Sequence, residues 1–188
     1  ANLNLSPDGT DTALTVNFTG GNIADVEDIT TTSSGLLTVD ASGMTVDSDD
    51  DALLLNDISL GADGTANITG SGGIDEITVG DFASTISGGA GADDLNGGAE
   101  SDSLVGEAGD DSLTAGDGDD SLVGGTGDDT LEGEAGDDSL VGDAGADSLV
   151  GGDGADSLTG GDDNDELEGD AGNDVLLGSA GDDQITTG

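Results

Sequence analysis

Aspartate recurs every nine residues along most of this chain, and it is the residue type that decides what chemistry the chain can do. The chain has no Lys, no Arg and no His, so no basic side chain is present to pair with these carboxylates. Carboxylates without basic partners favour hard divalent cations, which take oxygen ligands. The candidate metal ligands are Asp75, Asp93, Asp102, Asp111, Asp120, Asp129, Asp138, Asp147, Asp156, Asp165, Asp174 and Asp183.

The spacing belongs to a repeat of fourteen consecutive nine-residue units, which covers residues 61–186 without insertion or deletion. Position eight is always Leu or Ile, position one is Gly in twelve units, and position four is Gly in eleven. A flexible Gly-rich linker or a salt-adapted acidic surface has no reason to keep one aliphatic residue in phase. The pattern therefore predicts a folded repeat structure. Departures are Val79 and Ala115 at position one, and Phe82, Glu100 and Asp163 at position four.

Units such as GGAGADDLN (88–96), GGTGDDTLE (124–132) and GGDGADSLT (151–159) resemble the G-G-x-G-x-D-x-U-x nonapeptide of RTX calcium-binding proteins. The resemblance implies an all-β fold, a right-handed parallel β-roll or β-solenoid. Six residues of each unit form a turn, three form a short strand, and two units make one coil. The resemblance also identifies the cation as Ca²⁺, bound through Asp at position six.

The period-two pleat of a strand turns the residue at position eight inward and its neighbours toward solvent. A ladder of single aliphatic residues makes a thin core, so cation binding is needed to favour the folded state. The absence of His and Cys excludes ordinary zinc, iron and copper sites, and Mg²⁺ demands stricter octahedral geometry. If each unit stacks on the unit two places along, the aspartates fall into two rows and about ten Ca²⁺ fit between successive coils.

Several units depart from the pattern in ways that affect the expected sites. The unit VGDFASTIS (79–87) keeps Ile86 but lacks the calcium chemistry, so residues 61–87 are degenerate in part. Glu100 and Asp163 are expected either to strain their turns or to add a carboxylate ligand. Acids at position five are expected to be solvated surface charge. These are Asp110, Asp119, Asp128, Asp137 and Asp182.

Residues 1–60 lack the nonapeptide and show alternating apolar residues instead. This pattern predicts short strands around Leu3 and Leu5, Leu14 to Phe18, Leu37 and Val39, Met44 and Val46, Leu53 and Leu55, and Ile58 and Leu60. We expect an irregular β-solenoid or cap that stacks on the roll, with a separate small β-sandwich as the alternative. Residues 187–188 are expected to start a further repeat or to be a truncated end.

The composition also limits the classes of function. Without His, Lys or Cys the chain lacks the side chains of a catalytic triad, a P-loop or a thiol nucleophile, and we predict no enzyme activity. A net charge of −44 argues against nucleic acid as a partner. No apolar run approaches the roughly 18 residues of a membrane span, so no membrane insertion is expected. The expected partners are calcium ions and copies of this chain or other cell-surface components.

These features predict a calcium-binding structural module of a secreted protein, located extracellularly or on a bacterial cell surface. Among families with such repeats, the chain most resembles RTX-type bacterial surface-layer proteins, and the resemblance implies export through a type I secretion channel. Two alternatives stay open: the C-terminal repeat region of an exported toxin, protease or lipase, and the spacer of a large adhesin. The first reading is favoured because residues 1–60 have a non-catalytic β pattern that runs directly into the repeats.

Overall fold

A computed structural model of the chain describes residues 3–5, 13–19, 29–31, 36–43, 54–58 and 64–188. In this described part the regular elements are β-strands without a helix, which confirms the predicted all-β class. In chain order they are β1 (Leu3–Leu5), β2 (Ala13–Thr19), β3 (Ile29–Thr31), β4 (Leu36–Gly43), β5 (Leu54–Ile58), β6 (Thr65–Thr69), β7 (Glu76–Val79), β8 (Ser84–Ala90), β9 (Asp94–Ala99), β10 (Ser103–Ala108), β11 (Ser112–Asp117), β12 (Ser121–Thr126), β13 (Thr130–Ala135), β14 (Ser139–Ala144), β15 (Ser148–Gly154), β16 (Ser157–Asp162), β17 (Glu166–Gly172), β18 (Val175–Ala180) and β19 (Gln184–Thr186).

The strands pair in parallel and alternate between two long sheets. The even-numbered strands from β2 to β18 form one sheet, and the odd-numbered strands from β5 to β19 form the other. Successive strands of the repeat therefore lie in opposite sheets, and the chain winds as a solenoid of about seven turns. The register joins residues eighteen apart, with Leu104 opposite Leu122 and Leu122 opposite Leu140. The predicted parallel solenoid, with each unit stacked on the unit two places along, is confirmed.

The strands of the roll are longer than the predicted three residues. Strand β10 covers positions seven to nine of one unit and continues through positions one to three of the next. Pairing with β12 passes over Gly106 at position one and resumes at Glu107 and Ala108. The three-residue prediction was wrong because each coil repeats directly above the last, so backbone groups of the turn also find partners in the next coil.

The interior of the roll consists of two ladders of aliphatic side chains from position eight, one from each sheet. Twelve of the fourteen residues are buried. Within each sheet, successive members lie directly opposite each other, as Leu104 and Leu122 do in one sheet and Leu113 and Leu131 in the other. The remaining two, Leu176 and Ile185, are partly exposed because they belong to the last coil of the described chain. The buried members are Ile68, Ile77, Ile86, Leu95, Leu104, Leu113, Leu122, Leu131, Leu140, Leu149, Leu158 and Leu167.

Three of the five described strands before residue 61, β2, β4 and β5, continue the two sheets of the roll, whereas β1 and β3 form a separate two-stranded sheet. Strand β2 pairs with β4, β4 pairs with β6, and β5 pairs with β7, all in parallel. Register shifts in β2 and β5 make this part irregular. The alternation missed β3, which pairs with β1.

Four residues of the predicted strands, Met44, Val46, Leu53 and Leu60, lie outside the described residues, as does the predicted boundary between residues 60 and 61. The division of the chain at this boundary therefore stays a prediction. Across the described ranges, no helix is long and apolar enough to cross a bilayer.

Candidate metal centre

The aspartates at position six lie in two rows, one along each edge of the roll. In each row the backbone N–H of one Asp donates to Oδ1 of the Asp in the next coil, eighteen residues later. Asp93 donates to Asp111 at 2.8 Å, and Asp102 donates to Asp120 at 2.7 Å. The first row contains Asp75, Asp93, Asp111, Asp129, Asp147, Asp165 and Asp183. The second row contains Asp102, Asp120, Asp138, Asp156 and Asp174.

We call the gap between two successive aspartates of one row a step, and there are ten such steps. The two predicted rows are therefore present, and the structure brings all twelve predicted residues into them. Their role as metal ligands stays a prediction.

In nine of these steps the second carboxylate oxygen of the earlier Asp is buried and has no hydrogen-bond partner. A buried polar atom without a partner costs about 1–3 kcal/mol, and more when it is charged. The same orphan repeats coil after coil, so this cost recurs along both rows. The nine residues are Asp93, Asp102, Asp111, Asp120, Asp129, Asp138, Asp147, Asp156 and Asp165.

Glycine occupies position one in the units of eight of the nine orphans and leaves room there for a second oxygen, whereas the unit of Asp120 has Ala115 at this position. An ideal Cβ on Gly106 would contact Asp111 Oδ2 and lie 2.7 Å from the carbonyl oxygen of Gly124 in the next coil. The same arrangement occurs at Gly133, where the carbonyl oxygen of Gly151 would be 2.6 Å away. Each such space is thus lined by a carboxylate oxygen and a backbone carbonyl oxygen from different coils.

Burial is the largest influence on the titration of these carboxylates. It raises the pKa of Asp93, Asp102 and Asp129 to about 7 and that of Asp138 to about 6. Backbone N–H donors oppose the rise, joined at Asp102 by the Ser84 hydroxyl, and the neighbouring carboxylates add to it. Burial likewise raises the pKa of Asp111, Asp120, Asp147, Asp156 and Asp165.

The donor set fits Ca²⁺ better than a transition metal. In the described part of the chain, no three carboxylate, imidazole or thiol groups gather around one point. Any ion held in a step must therefore combine one or two carboxylates with backbone carbonyls. Calcium accepts this mixture of hard oxygen ligands in a flexible shell, and its positive charge would stabilise the buried carboxylates in their ionised form.

The first coil of each aspartate row has hydrogen bonds that the later coils lack. Asp75 accepts hydrogen bonds from Ser71, with Ser71 N to Asp75 Oδ2 at 2.7 Å and Ser71 Oγ to Asp75 Oδ1 at 2.9 Å. Ser84 stands where the second row would have a further Asp, and both its N–H and its hydroxyl donate to Asp102 Oδ1. The sequence indicated the loss at Ser84, but nothing in the nonapeptide pattern indicated the Ser71 contact.

Non-glycine residues occupy left-handed backbone positions in several turns. Glu100 and Asp163 have φ values of 70° and 79°, so the expected strain at position four is present. Position two shows the same feature, which the sequence pattern did not single out. Its non-glycine residues with positive φ are Glu107, Glu134, Asp143, Asp170 and Ser179.

The acids at position five form a second, exposed ladder that the sequence reasoning missed. Asp110 Oδ1 accepts from the N–H of Asp128 at 3.0 Å, and Asp128 Oδ1 accepts from the N–H of Ala146 at 2.9 Å. Asn164 makes the equivalent bond to the N–H of Asp182. These side chains reach toward the following coil, whereas those at position six reach toward the preceding one. The expectation of exposure is met, but these residues also link coils.

Comparison with known families agrees with this geometry. The model of the RTX calcium-binding nonapeptide repeat matches four times, over residues 69–104, 96–131, 123–158 and 159–188. Neither the curated proteins nor the solved structures gave a significant match. Repeats of this family bind Ca²⁺, and the matched segments contain both aspartate rows. With nearly two thirds of its length matched, this chain belongs to the RTX calcium-binding nonapeptide repeat family.

Proposed function

We propose that this chain is a calcium-binding structural module of a secreted bacterial cell-surface protein, which folds and assembles when extracellular Ca²⁺ fills the steps between its coils. The ten steps define the proposed sites, with the twelve aspartates and the adjacent carbonyls as ligands. Bound calcium supplies positive charge where the fold buries negative charge.

The row of orphaned carboxylate oxygens is the observation that carries this proposal. Nine buried Oδ2 atoms without partners recur at the same place in successive coils. A fold that buries so many like charges is unfavourable unless a cation neutralises them, because an isolated buried carboxylate is strongly penalised. Filling the steps would convert this penalty into a stabilising interaction and make folding conditional on calcium.

The expected location follows from the same linkage. Where free calcium is submicromolar the chain repels itself, and where calcium is millimolar the sites fill. Proteins with these repeats are in general secreted by bacteria. The pairing of β4 with β6 and of β5 with β7 supports a structural role, since strands from before the repeats extend both sheets of the roll. Copies of the chain or other surface components are the proposed partners.

A calcium titration followed by circular dichroism tests the proposal. Starting from calcium-free protein in excess chelator, we expect coil to convert cooperatively to β structure as Ca²⁺ is added. Equal β content in chelator and in calcium would contradict it.

A matched titration with Mg²⁺ separates coordination from general charge screening. Magnesium has the same charge but demands a smaller octahedral shell. We expect it to induce β structure only at far higher concentration. A response equal to that of calcium would mean that the carboxylates merely need screening.

A further inference from the structure

One coil of the roll differs from the later coils in the contacts that close its two turns. We define the base coil as residues 70–87, the two units GSGGIDEIT and VGDFASTIS. One of its turns leads to Asp75 and the other leads to Ser84. Both turns differ from those of the later coils. In each, contacts within the protein take the place of the calcium ion proposed for the later turns.

The first turn is closed by a serine. Ser71 stands at position two of its unit. In each unit from residue 88 onward, the residue at position two has a positive φ, but Ser71 does not. Its N–H instead points to Asp75 Oδ2, and its hydroxyl lies 2.9 Å from Oδ1 and 3.1 Å from Oδ2 of the same carboxylate. The oxygen that is orphaned in nine later aspartates is therefore already bonded in Asp75.

The second turn is closed by an apolar side chain. Phe82 occupies position four, lacks the positive φ of most of its later equivalents, and is only 6% exposed. Its N–H donates to the carbonyl oxygen of Gly80 at 2.9 Å, which tightens the turn. Val79 at position one is also buried, in a unit whose position six is Ser84. This turn thus has a hydrophobic anchor and no carboxylate at position six.

The core is also richer here than in the later coils. Within the base coil the buried apolar residues are Ile77, Val79, Phe82 and Ile86. Later coils bury little beyond one Leu from each unit, with Ala115 as an addition. Larger apolar burial stabilises this coil without a metal, because it scales with the area removed from water.

The base coil finally presents donors to the first carboxylate of each row above it. Asp75 N–H donates to Asp93 Oδ1 at 2.8 Å, and Ser84 donates to Asp102 Oδ1 through both N–H and hydroxyl. These bonds orient Asp93 and Asp102 before any ion is bound to them. The next coil can therefore assemble on a surface that is already in place.

We propose that the base coil is a calcium-independent template, that Asp75 takes no calcium, and that the calcium array starts at Asp93 and Asp102. This inference rests on the proposed function and changes its site assignment. Removing the step between Asp75 and Asp93 leaves nine steps, five in the first row and four in the second. They coincide with the nine orphaned oxygens.

Calcium stoichiometry by native mass spectrometry tests this assignment. We expect wild type and Asp75→Asn to bind nine ions, whereas the matched control Asp129→Asn, in the same row, should bind fewer. Ser71→Gly restores the usual glycine at position two and should add a tenth ion. Loss of an ion in Asp75→Asn, as in Asp129→Asn, or no gain in Ser71→Gly when both variants reach wild-type β content in calcium, would overturn the assignment.

Hydrogen exchange in excess chelator tests the template. Amides of β7 and β8 should exchange at least tenfold more slowly than those of β11 to β17. Equally fast exchange in both groups would overturn the template. Wild type that binds no calcium at all would instead refute the proposed function, so the two failures are distinguishable.

Discussion

At the scale of single residues, the recurring requirement is space beside position one for two oxygen atoms. Glycine provides this space in most units: an added Cβ would meet the carboxylate, and at Gly97, Gly106, Gly133 and Gly142 also the carbonyl oxygen from the next coil. Ala115 is the exception within the calcium array, and it is fully buried. Its methyl group stands where the other units leave room between Asp120 and the coil above.

Replacing Ala115 by Gly should strengthen calcium binding at the step between Asp120 and Asp138. Relief of the crowding is expected to be worth about 1 kcal/mol, a fewfold in affinity. Calorimetric titration of the variant against wild type measures the change. Val79→Gly is the matched control, since position six of its unit is Ser84 and not a carboxylate. The Val79→Gly variant should lose core burial and gain no calcium affinity. Unchanged calcium binding in Ala115→Gly would show that the methyl group of Ala115 does not weaken binding.

At the scale of elements, each turn holds its neighbours in both directions. The carboxylate at position six accepts from the coil before it, and the acceptor at position five bonds to the coil after it. Asp, Asn and Ser all serve at position five, as Asp128, Asn164 and Ser101 illustrate. Since two of these three residue types are uncharged, the ladder needs an acceptor and has no need of a charge.

Substitutions at Asp128 test whether position five needs a hydrogen-bond acceptor or a negative charge. Asp128→Asn keeps the oxygen that accepts from Ala146 N–H and should leave stability in calcium unchanged. Asp128→Ala removes that oxygen and should lower the free energy of unfolding by about 1 kcal/mol. Urea unfolding of both variants at saturating calcium provides the comparison. An equal loss in the two variants would mean that the charge of Asp128 matters.

Side chains at position two follow a spacing rule along each edge. Glu107 and Asp143 are separated by Gly125, and Glu134 and Asp170 are separated by Gly152. An ideal Cβ on Gly125 would contact the carbonyl oxygen of Glu107 and lie 3.0 Å from its Cα. A second side chain in direct succession would therefore force two adjacent coils to shift.

Gly125→Glu should accordingly destabilise the calcium-loaded roll by about 1–3 kcal/mol, through a strained left-handed residue and a backbone contact. Glu107→Gly should stabilise it by about 1 kcal/mol, because glycine adopts positive φ without penalty. Thermal or urea unfolding measures both effects. Glu107→Gln controls for charge: if it stabilises as much as Glu107→Gly, repulsion between carboxylates explains the effect and strain does not.

The nine-residue repeat predicts much of the fold, and the features that it does not predict have physical causes. Leu or Ile at position eight with the nine-residue spacing predicted the inward ladder and the eighteen-residue register. The ladder at position five, the closure by Ser71 and the strand length could not be predicted, because they depend on which backbone groups of neighbouring coils come within hydrogen-bonding distance. β3 was missed because Ile29-Thr30-Thr31 carries one apolar residue and no alternation.

At the scale of the whole molecule, the large net negative charge is the main determinant of how the roll interacts with its surroundings. Nine calcium ions would offset eighteen of the 44 negative charges, so the folded roll would remain strongly anionic. Many exposed carboxylates then stay available to bind further cations loosely or to bridge neighbouring molecules through calcium. Assembly between copies is thus expected to weaken as monovalent salt rises, since exposed charges are screened.

Acid should partly replace calcium. Without metal, folding raises the pKa of Asp93, Asp102 and Asp129 from 3.8 to about 7, so the folded state binds protons more tightly than the unfolded state. The stabilisation is complete below about pH 4 and is lost as the pH rises through about 7. Circular dichroism of calcium-free protein should show β content falling over this range. A rise in β content with pH would contradict the burial of these carboxylates.

Asp129→Asn is a matched test of the same linkage. Asparagine resembles the protonated carboxyl group in shape and charge but binds calcium poorly. The variant should therefore gain β content in chelator at pH 7.5 and lose calcium affinity. If β content in chelator and calcium affinity both rose or both fell in this variant, the side chain of Asp129 would not be the titrating ligand.

The eighteen-residue register also has a mechanical meaning. Because each coil of the repeat is bonded to the coils directly before and after it, the coils that follow the base coil form a series of similar, mechanically linked units. Tension applied along the chain would detach one coil at a time from an end, and each detached coil would release eighteen residues, about 60 Å of extended chain. In the proposed calcium array, the force needed to detach a coil would depend on the calcium bound to it, so the extensibility of the roll would change with the ionic composition of its surroundings.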